Sequence, residues 1–223
     1  MTKELFSQAI LKFLLGVILI GLLIFLPAGS LAYWNGWLFL GVLFIPMFAA
    51  GIVMMFKSPD LLRSRLKAKE TEGEQQLVIK LSGLMFLLGF IVAGLDHRFG
   101  WVALPDWVVY TAVSAFLLAY LLYAEVLREN MYLSRIIEVQ EGQKVIDTGL
   151  YSIVRHPMYS ATLLLFLSMP LILGSIVAFP IFLAYPVIIA KRIRNEEEVL
   201  ERDLAGYTAY KNKVRYKMIP FIW

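Results

Sequence analysis

The sequence predicts an all-α integral membrane protein, because its apolar residues are too numerous and too clustered for a soluble domain. Hydrophobic residues make up 60% of its 223 residues, and the mean hydropathy is +0.72, whereas soluble domains are nearer half apolar. A helix needs about 20 apolar residues to cross a bilayer core. Four runs reach that length: residues 9–27, 37–56, 77–95 and 107–125. The sequence therefore predicts four transmembrane helices in its N-terminal half.

Two shorter apolar runs, residues 158–173 and 175–190, follow and predict a helical hairpin with its turn at Gly174-Ser175. They contain three prolines, Pro170, Pro180 and Pro186. Because proline removes a backbone hydrogen bond and clashes with the preceding turn, we expect both helices of the hairpin to be kinked. The predicted total is about six transmembrane helices, the last two forming this hairpin.

The positions of the charged residues predict the orientation in the membrane. Lys and Arg are enriched in cytoplasmic loops. With six spans and a cytoplasmic N-terminus, Arg98 is the one residue among the 21 Lys and Arg that falls on the outer side. We therefore expect both termini and the loop of residues 57–76 to be cytoplasmic. Within that loop, Ser58-Pro59-Asp60 is typical of a helix start, and the helix after it lies either at the lipid headgroups or in solvent as a connector.

The composition also excludes some kinds of chemistry. The chain has no cysteine, so it has no disulfide, no thiolate metal ligand and no cysteine nucleophile. His97 and His156 are far apart in the sequence, and we therefore expect no histidine-based metal site. The chain lacks the Gly-x-Gly-x-x-Gly pattern with which a Rossmann domain binds a dinucleotide.

Two polar segments flank the predicted hairpin, which brings them together. The first ends in Arg155-His156-Pro157. Proline favours a helix start after it, which places His156 at a helix N-terminus, where the helix dipole attracts anions. Arg155 adds a planar fork of donors that suits a carboxylate. The alternative is that Arg155 and His156 only anchor this helix end at the lipid headgroups.

The second polar segment, residues 191–204, predicts a helix that docks onto the rest of the protein. Arg192 and Glu196 are four residues apart and therefore share a helix face. One alternative is an ordinary salt-bridged helix that leaves the membrane. An apolar stripe favours docking instead, and charges held beside such a stripe at a membrane interface are candidates for function. The stripe consists of Ile193, Val199, Leu200 and Leu204.

Several motifs, taken together, resemble one known family. In chain order they are Asn130, Thr148-Gly149-Leu150-Tyr151, Arg155-His156-Pro157-Met158-Tyr159, Glu196-Glu197 and Tyr207-x-x-Tyr210. This combination, over residues 128–223, resembles the isoprenylcysteine carboxyl methyltransferase family, which is related to membrane phospholipid N-methyltransferases. The resemblance implies S-adenosylmethionine as methyl donor, bound in a cytoplasmic pocket that the C-terminal helix closes. It divides the chain into a four-helix transmembrane region, residues 1–125, and a catalytic region, residues 126–223.

The resemblance also implies roles for individual residues. The predicted cofactor-binding residues are Gln143, Lys144, Val145, Ile146, Tyr151, His156, Pro157, Met158, Tyr159, Glu196 and Glu197. Arg192 is associated with the methyl-accepting substrate and is predicted, with Arg155, to be catalytic. Asn130 is predicted to bind the substrate, and no residue is predicted to bind a metal. The family usually has glycine where this chain has Ala161, and we expect the added methyl group to tighten the pocket.

The function implied by the resemblance is carboxyl O-methylation of an isoprenylcysteine-like or other hydrophobic acceptor. The expected partners are a hydrophobic or lipidated small molecule or peptide and the membrane lipids, with no nucleic acid. A carboxylate is already ionised and needs a cation but no base, whereas a lipid amine must first lose a proton. Two alternatives stay open: N- or O-methylation of a phospholipid or other lipid, and a non-enzymatic transporter or scaffold. A transporter would usually carry ionisable residues within its spans, and the first four spans almost lack them.

Overall fold

Helices make up most of the computed structural model, which describes residues 3–66, 73–130, 132–133, 137 and 139–223. No strand is present in these ranges. The helices are α1 (Lys3–Ala28), α2 (Trp34–Lys57), α3 (Pro59–Leu66), α4 (Gly73–Phe99), α5 (Asp106–Glu129), α6 (Pro157–Ile172), α7 (Phe179–Phe182), α8 (Ala184–Asp203) and α9 (Tyr207–Lys213). A 3-10 helix, Gly149–Ser152, precedes α6.

Four of these helices, α1, α2, α4 and α5, contain the four predicted transmembrane runs, and each is long and apolar enough to cross a membrane. This confirms the prediction of an all-α integral membrane protein. Helices α1 and α4 approach each other closely at Gly94, where a β-carbon would lie 2.6 Å from the carbonyl oxygen of Ile24. Small residues allow such backbone contact between membrane helices, which associate mainly through packing and not through the hydrophobic effect.

The short helix predicted after Ser58 is present as α3, and it is fastened to the ends of α1 and α2. Its Leu62 is buried in a small apolar cluster with Leu5 and Met55. The ammonium of Lys12, on α1, donates a hydrogen bond to the carbonyl oxygen of Leu66 at the end of α3, with a distance of 2.6 Å. These contacts hold α3 against the bundle. The rest of the predicted loop, from residue 67 to residue 72, lies outside the described residues.

The predicted hairpin is present, but its second arm is not the single helix expected over residues 175–190. The chain reverses after α6, forms the short α7, and only then begins α8 at Ala184. Helix α8 continues through the polar segment to Asp203, so that segment and the last part of the apolar run form one helix. Helix α6 has 16 residues, a length of about 24 Å against about 30 Å for a bilayer core. Only four described helices are therefore both long enough and apolar enough to cross a membrane.

Prolines explain where the second arm is divided. Pro180 lies in the first turn of α7 and Pro186 in the first turns of α8. A proline is tolerated at a helix start, where its missing N–H would have no intrahelical partner, and disrupts a helix interior. The second arm therefore consists of two helices, α7 and α8, instead of one continuous helix. Pro170, by contrast, lies inside α6 near its C-terminal end.

Buried polar groups fix the reversal after α6 to the ends of α2 and α4. The carboxylate of Asp96, at 2% exposure, accepts hydrogen bonds from the Ser175 hydroxyl at 2.5 Å and from the Val102 amide at 3.1 Å. The side-chain amide of Asn35 donates to the carbonyl oxygen of Ile172 at 2.9 Å. Because buried polar groups are costly to leave unpaired, these contacts specify where α6 ends and where the chain turns.

The segment after α9, residues 214–218, runs back along the start of α6. The backbone amide of Arg155 donates to the carbonyl oxygen of Tyr216 at 2.9 Å, and that of His156 donates to Lys217 at 2.7 Å. Met218 is buried in the main apolar core. The Arg-His-Pro motif is thus held between α6, which it begins, and a segment that lies about 60 residues further along the chain.

Candidate functional site

A cavity opens at one end of the bundle, where the C-terminus of α5, the 3-10 helix, the start of α6, α8 and α9 meet. The space between its walls amounts to about 840 Å³, a volume that includes open solvent. Twelve of the predicted site residues line it: Asn130, Gln143, Lys144, Val145, Ile146, Tyr151, Arg155, His156, Met158, Tyr159, Arg192 and Glu196. Pro157 and Glu197 are buried behind this wall.

A glycine is required where the chain enters the 3-10 helix. Gly149 has φ +54°, and a β-carbon there would lie 1.6 Å from a carboxylate oxygen of Glu129. That carboxylate accepts a hydrogen bond from the Leu150 amide at 3.0 Å. The left-handed conformation and the contact with the carboxylate both exclude a side chain. The end of α5 therefore fixes the position of the turn that carries Tyr151.

Tyr151 is held from two sides. Its hydroxyl accepts a hydrogen bond from the side-chain amide of Asn130 at 2.9 Å. Its carbonyl oxygen accepts one from the Tyr210 hydroxyl at 2.7 Å. Asn130 ends α5 and Tyr210 lies on α9, so one wall of the cavity depends on contacts among three elements. Asn130, which the sequence assigns to the substrate, therefore also orients a residue assigned to the cofactor.

Arg192 and Glu196 are joined through Tyr159. The Tyr159 hydroxyl donates to the Glu196 carboxylate at 2.5 Å and accepts from Nε of Arg192 at 2.9 Å. Tyr159 is buried, at 4% exposure, in the first turn of α6, while its two partners lie on successive turns of α8. The two charged side chains thus face the cavity with a phenol fixed between them, an arrangement that their spacing alone does not predict.

Glu197 forms the centre of a buried ionic cluster behind the cavity. Its carboxylate accepts a hydrogen bond from Nε of Arg155 at 2.7 Å, and it lies 3.2 Å from Nε2 of His156 and 3.1 Å from the ammonium of Lys217. Burial raises the pKa of Glu197, but hydrogen bonds from His156, Arg155 and Lys217 lower it by more, to well below its ordinary value. Because an ionised carboxylate only accepts hydrogen bonds, Nε2 of His156 carries the proton in this contact.

Residues 107–202 match the model of the isoprenylcysteine carboxyl methyltransferase (ICMT) family. This stretch, 96 of the 223 residues, is the part of the chain that matches the ICMT family. The match extends from α5 to α8 and so includes the motif that begins α6 and the bridge between Arg192 and Glu196, while Tyr207 and Tyr210 lie beyond it. No curated protein matches the chain.

A solved structure of the eukaryotic intramembrane Ras methyltransferase ICMT, determined without a monobody, is similar to this chain. The two are 19% identical, with a TM-score of 0.58 over 92% of this chain and 73% of the other. At this identity the likeness shows a common fold. It extends beyond the family match to the N-terminal helices, which the sequence related to the family only as generic membrane spans.

Within this ICMT-family region, Arg155 is occupied by structural contacts. Besides Glu197, its guanidinium donates through Nη1 to the carbonyl oxygens of Val214 and Arg215, at 2.7 and 2.8 Å. It is 6% exposed. These are the contacts of a residue that positions the motif and the C-terminal segment. A catalytic role for Arg155 stays a prediction.

The cavity also contains residues to which the sequence assigned no role: Tyr132, Leu133, Ile137, Leu200, Leu204, Tyr207 and Tyr210. Leu200 and Leu204 belong to the apolar stripe of the second polar segment, so the stripe predicted docking without revealing that it also faces a cavity. Leu133 and Ile137 lie outside the described helices, so no helical pattern in the sequence indicated them. In the part of the chain that the structure describes, no three His, Asp or Glu side chains are grouped so that they share a metal ion.

Proposed function

We propose that this integral membrane protein is an S-adenosylmethionine-dependent methyltransferase that esterifies the carboxylate of an isoprenylcysteine-like or other hydrophobic acceptor. The observation that carries the proposal is the bridge between Arg192, Tyr159 and Glu196, which holds a cation and an anion in a cavity formed by the ICMT-family segment. The match to the family model supports methyl transfer, and the apolar helices support an acceptor drawn from the membrane.

The chemistry of the cavity wall suits this cofactor, which joins a flat nucleoside to a charged amino-acid end. Apolar side chains that suit the adenine ring line one part: Leu133, Val145, Ile146 and Leu200. Glu196 supplies a carboxylate for a cationic group, and its side chain is 24% exposed. We propose that these residues, with Tyr151 and His156, hold the cofactor. When bound, the cofactor supplies an electrophilic sulfonium methyl group.

Arg192 is proposed to hold the carboxylate of the acceptor. Its guanidinium offers a planar set of donors that matches a carboxylate, and Tyr159 fixes one of its nitrogen atoms. An ionised carboxylate loses no proton when it is methylated, so the chain needs only to align the two reactants and exclude water.

Methylation of a lipid amine is the second candidate, and it requires a base. His156 is the residue that suits this role, because its Nδ1 lies 3.8 Å from the Glu196 carboxylate. Its other nitrogen, however, faces Glu197 in the buried cluster. The carboxyl acceptor needs no such base, and the contacts around Arg192 therefore favour it.

The test uses purified protein, S-adenosylmethionine with a labelled methyl group, and three acceptors: a prenylated cysteine, its carboxamide and phosphatidylethanolamine. We expect label only in the prenylated cysteine, as an ester that base releases as methanol. Arg192→Ala should slow this transfer by a factor of about 100 or more, whereas Arg194→Ala, which replaces an exposed arginine on the same helix, should retain it. Label in the carboxamide or in the phospholipid amine would contradict carboxyl methylation.

We also propose that the cavity and both termini face the cytoplasm. The proposal rests on the charge distribution, in which Arg98 alone falls on the other side. It rests as well on Lys12 and α3, which lie at the same end of the bundle as the cavity. A cysteine introduced at Glu141, which is exposed and lies in the polar segment between α5 and the 3-10 helix, should react in intact cells with a permeant reagent only. Labelling by an impermeant reagent would reverse the topology.

A further inference from the structure

Tyr207 has a buried hydroxyl group without a hydrogen-bond partner among the described residues. The residue begins α9, is 4% exposed, and packs its ring in an apolar cluster beside Val126, Leu204 and Val214. Buried side-chain hydroxyls in proteins are nearly always paired, because an unpaired one loses its bonds to water without compensation. The other tyrosines at this site follow the rule. Tyr151, Tyr159 and Tyr210 all have hydrogen-bonded hydroxyls.

The position of Tyr207 indicates where the missing partner comes from. Its side chain lines the cavity, so a molecule bound there lies within reach of the residue. Burial raises the pKa of the Tyr207 hydroxyl, and the charges of Glu197 and Glu196 raise it further, while Arg155 acts in the opposite direction. The hydroxyl is therefore a neutral phenol.

The two glutamates differ in what they leave for a ligand. Glu197 is surrounded by Arg155, His156 and Lys217 in the cluster behind the wall. Glu196 lines the cavity itself, with Tyr159 as donor to one of its oxygen atoms. A neutral phenol oxygen near a cavity-facing carboxylate forms a site for a cation that carries N–H donors. An ammonium group has three such donors.

Resting on the proposed function, we propose that the Tyr207 hydroxyl oxygen and the Glu196 carboxylate together bind the ammonium group at the amino-acid end of the cofactor. The sulfonium is the other cation of S-adenosylmethionine, but it has no hydrogen to donate. The ammonium is retained in the product S-adenosylhomocysteine and is missing from methylthioadenosine, which lacks the amino-acid end. The two ligands therefore separate this contact from contacts to the nucleoside.

The test compares Tyr207→Phe with the wild type by calorimetry, using both ligands. We expect the Kd for S-adenosylhomocysteine to rise about 10- to 150-fold, the usual effect of one hydrogen bond to a charged group, and the Kd for methylthioadenosine to stay the same. The Tm without ligand should not fall, because the substitution removes a hydroxyl that has no partner there.

Tyr120→Phe is the matched control. The Tyr120 hydroxyl donates to the carbonyl oxygen of Leu43 at 2.7 Å, away from the cavity. Its loss should lower the Tm without ligand and leave both Kd values unchanged. These opposite patterns distinguish a ligand contact from a structural hydroxyl.

Two results would overturn the inference. An unchanged Kd for S-adenosylhomocysteine in Tyr207→Phe would mean that the hydroxyl is satisfied by water. An equal rise for both ligands would assign the contact to the nucleoside. If the wild type binds neither ligand, both the proposed function and the inference are wrong. This outcome differs from the other two, in which the wild type binds both ligands.

Discussion

Replacing Tyr159 with Phe tests whether Arg192 and Glu196 act as one unit. The substitution keeps the ring and removes the hydroxyl that donates to Glu196 and accepts from Arg192. Without it, the two side chains lose their common hydrogen-bond partner. We therefore expect Tyr159→Phe to weaken cofactor binding and to slow methyl transfer at the same time.

The free-energy cost of Tyr159→Phe can be worked out from the two hydrogen bonds that it removes. A hydrogen bond to a charged group contributes about 1.5–3 kcal/mol, which sets an upper limit of about 6 kcal/mol for the pair. The Glu196 side chain is 24% exposed, so water replaces part of the hydrogen bonding that Glu196 loses with the Tyr159 hydroxyl. We expect a total effect of about 2 kcal/mol, or about 30-fold in kcat/KM.

The assay is a double-mutant cycle on methyl transfer. Arg192→Ala and Glu196→Ala are measured singly and together, first with Tyr159 present and then in the Tyr159→Phe background. If the hydroxyl couples the two residues, their interaction energy should exceed about 0.5 kcal/mol with Tyr159 and approach zero without it. Tyr185→Phe is the control. It removes a neutral hydrogen bond to Thr162 and should leave the coupling intact.

Two outcomes would refute this reasoning. In the first, the coupling between Arg192 and Glu196 persists at about 0.3–0.5 kcal/mol in the Tyr159→Phe background, which would mean that their i, i+4 spacing alone produces it. In the second, Arg192→Ala and Glu196→Ala both have equal, mild effects and methyl transfer stays normal, which would mean that α8 is an ordinary salt-bridged helix.

Three further predictions concern the support of the site. Gly149→Ala should destabilise the protein more than Gly142→Ala in thermal unfolding, because both have positive φ but only Gly149 approaches a carboxylate; equal losses would remove the role given to that contact. The folded-state pKa of Glu197 is lowered, so its stabilisation holds above about pH 4.5 and is lost as the pH falls below it; a Tm profile unchanged by Glu197→Gln would contradict this. Ser175→Ala should destabilise by about 1–3 kcal/mol, through its bond to Asp96, and leave the cofactor Kd unchanged; a weaker Kd would link the two ends of the bundle.

The four long helices could be predicted from sequence because the membrane imposes a simple rule. A span must be apolar over the thickness of the bilayer and must satisfy its own backbone. Both conditions act within one segment, so composition and run length suffice. The starts of α3 at Pro59 and α6 at Pro157 followed in the same way, since proline restricts its own backbone and that of the preceding residue.

The division of the second hairpin arm was not predictable by run length. Residues 175–190 are apolar throughout, but the reversal is held by Asp96 and Asn35, which belong to distant helices. Those contacts and the positions of the prolines decide where α8 begins. Consequently the polar segment with Arg192 is rigidly continuous with apolar residues, and its orientation is set by packing within the membrane.

The sequence by itself determined the class of the protein, its long helices and most of the residues that line the cavity, since membrane insertion and motif chemistry act on local residue types. Only the tertiary structure decided how those residues are used. Tyr159 joins Arg192 to Glu196, and Arg155 is occupied by Glu197 and the C-terminal segment. Tyr207 lines the cavity, and its buried hydroxyl has no hydrogen-bond partner among the described residues. Such pairings join residues tens of positions apart. Hydrogen-bond partners over that distance depend on how the helices pack, which neither spacing nor composition encodes.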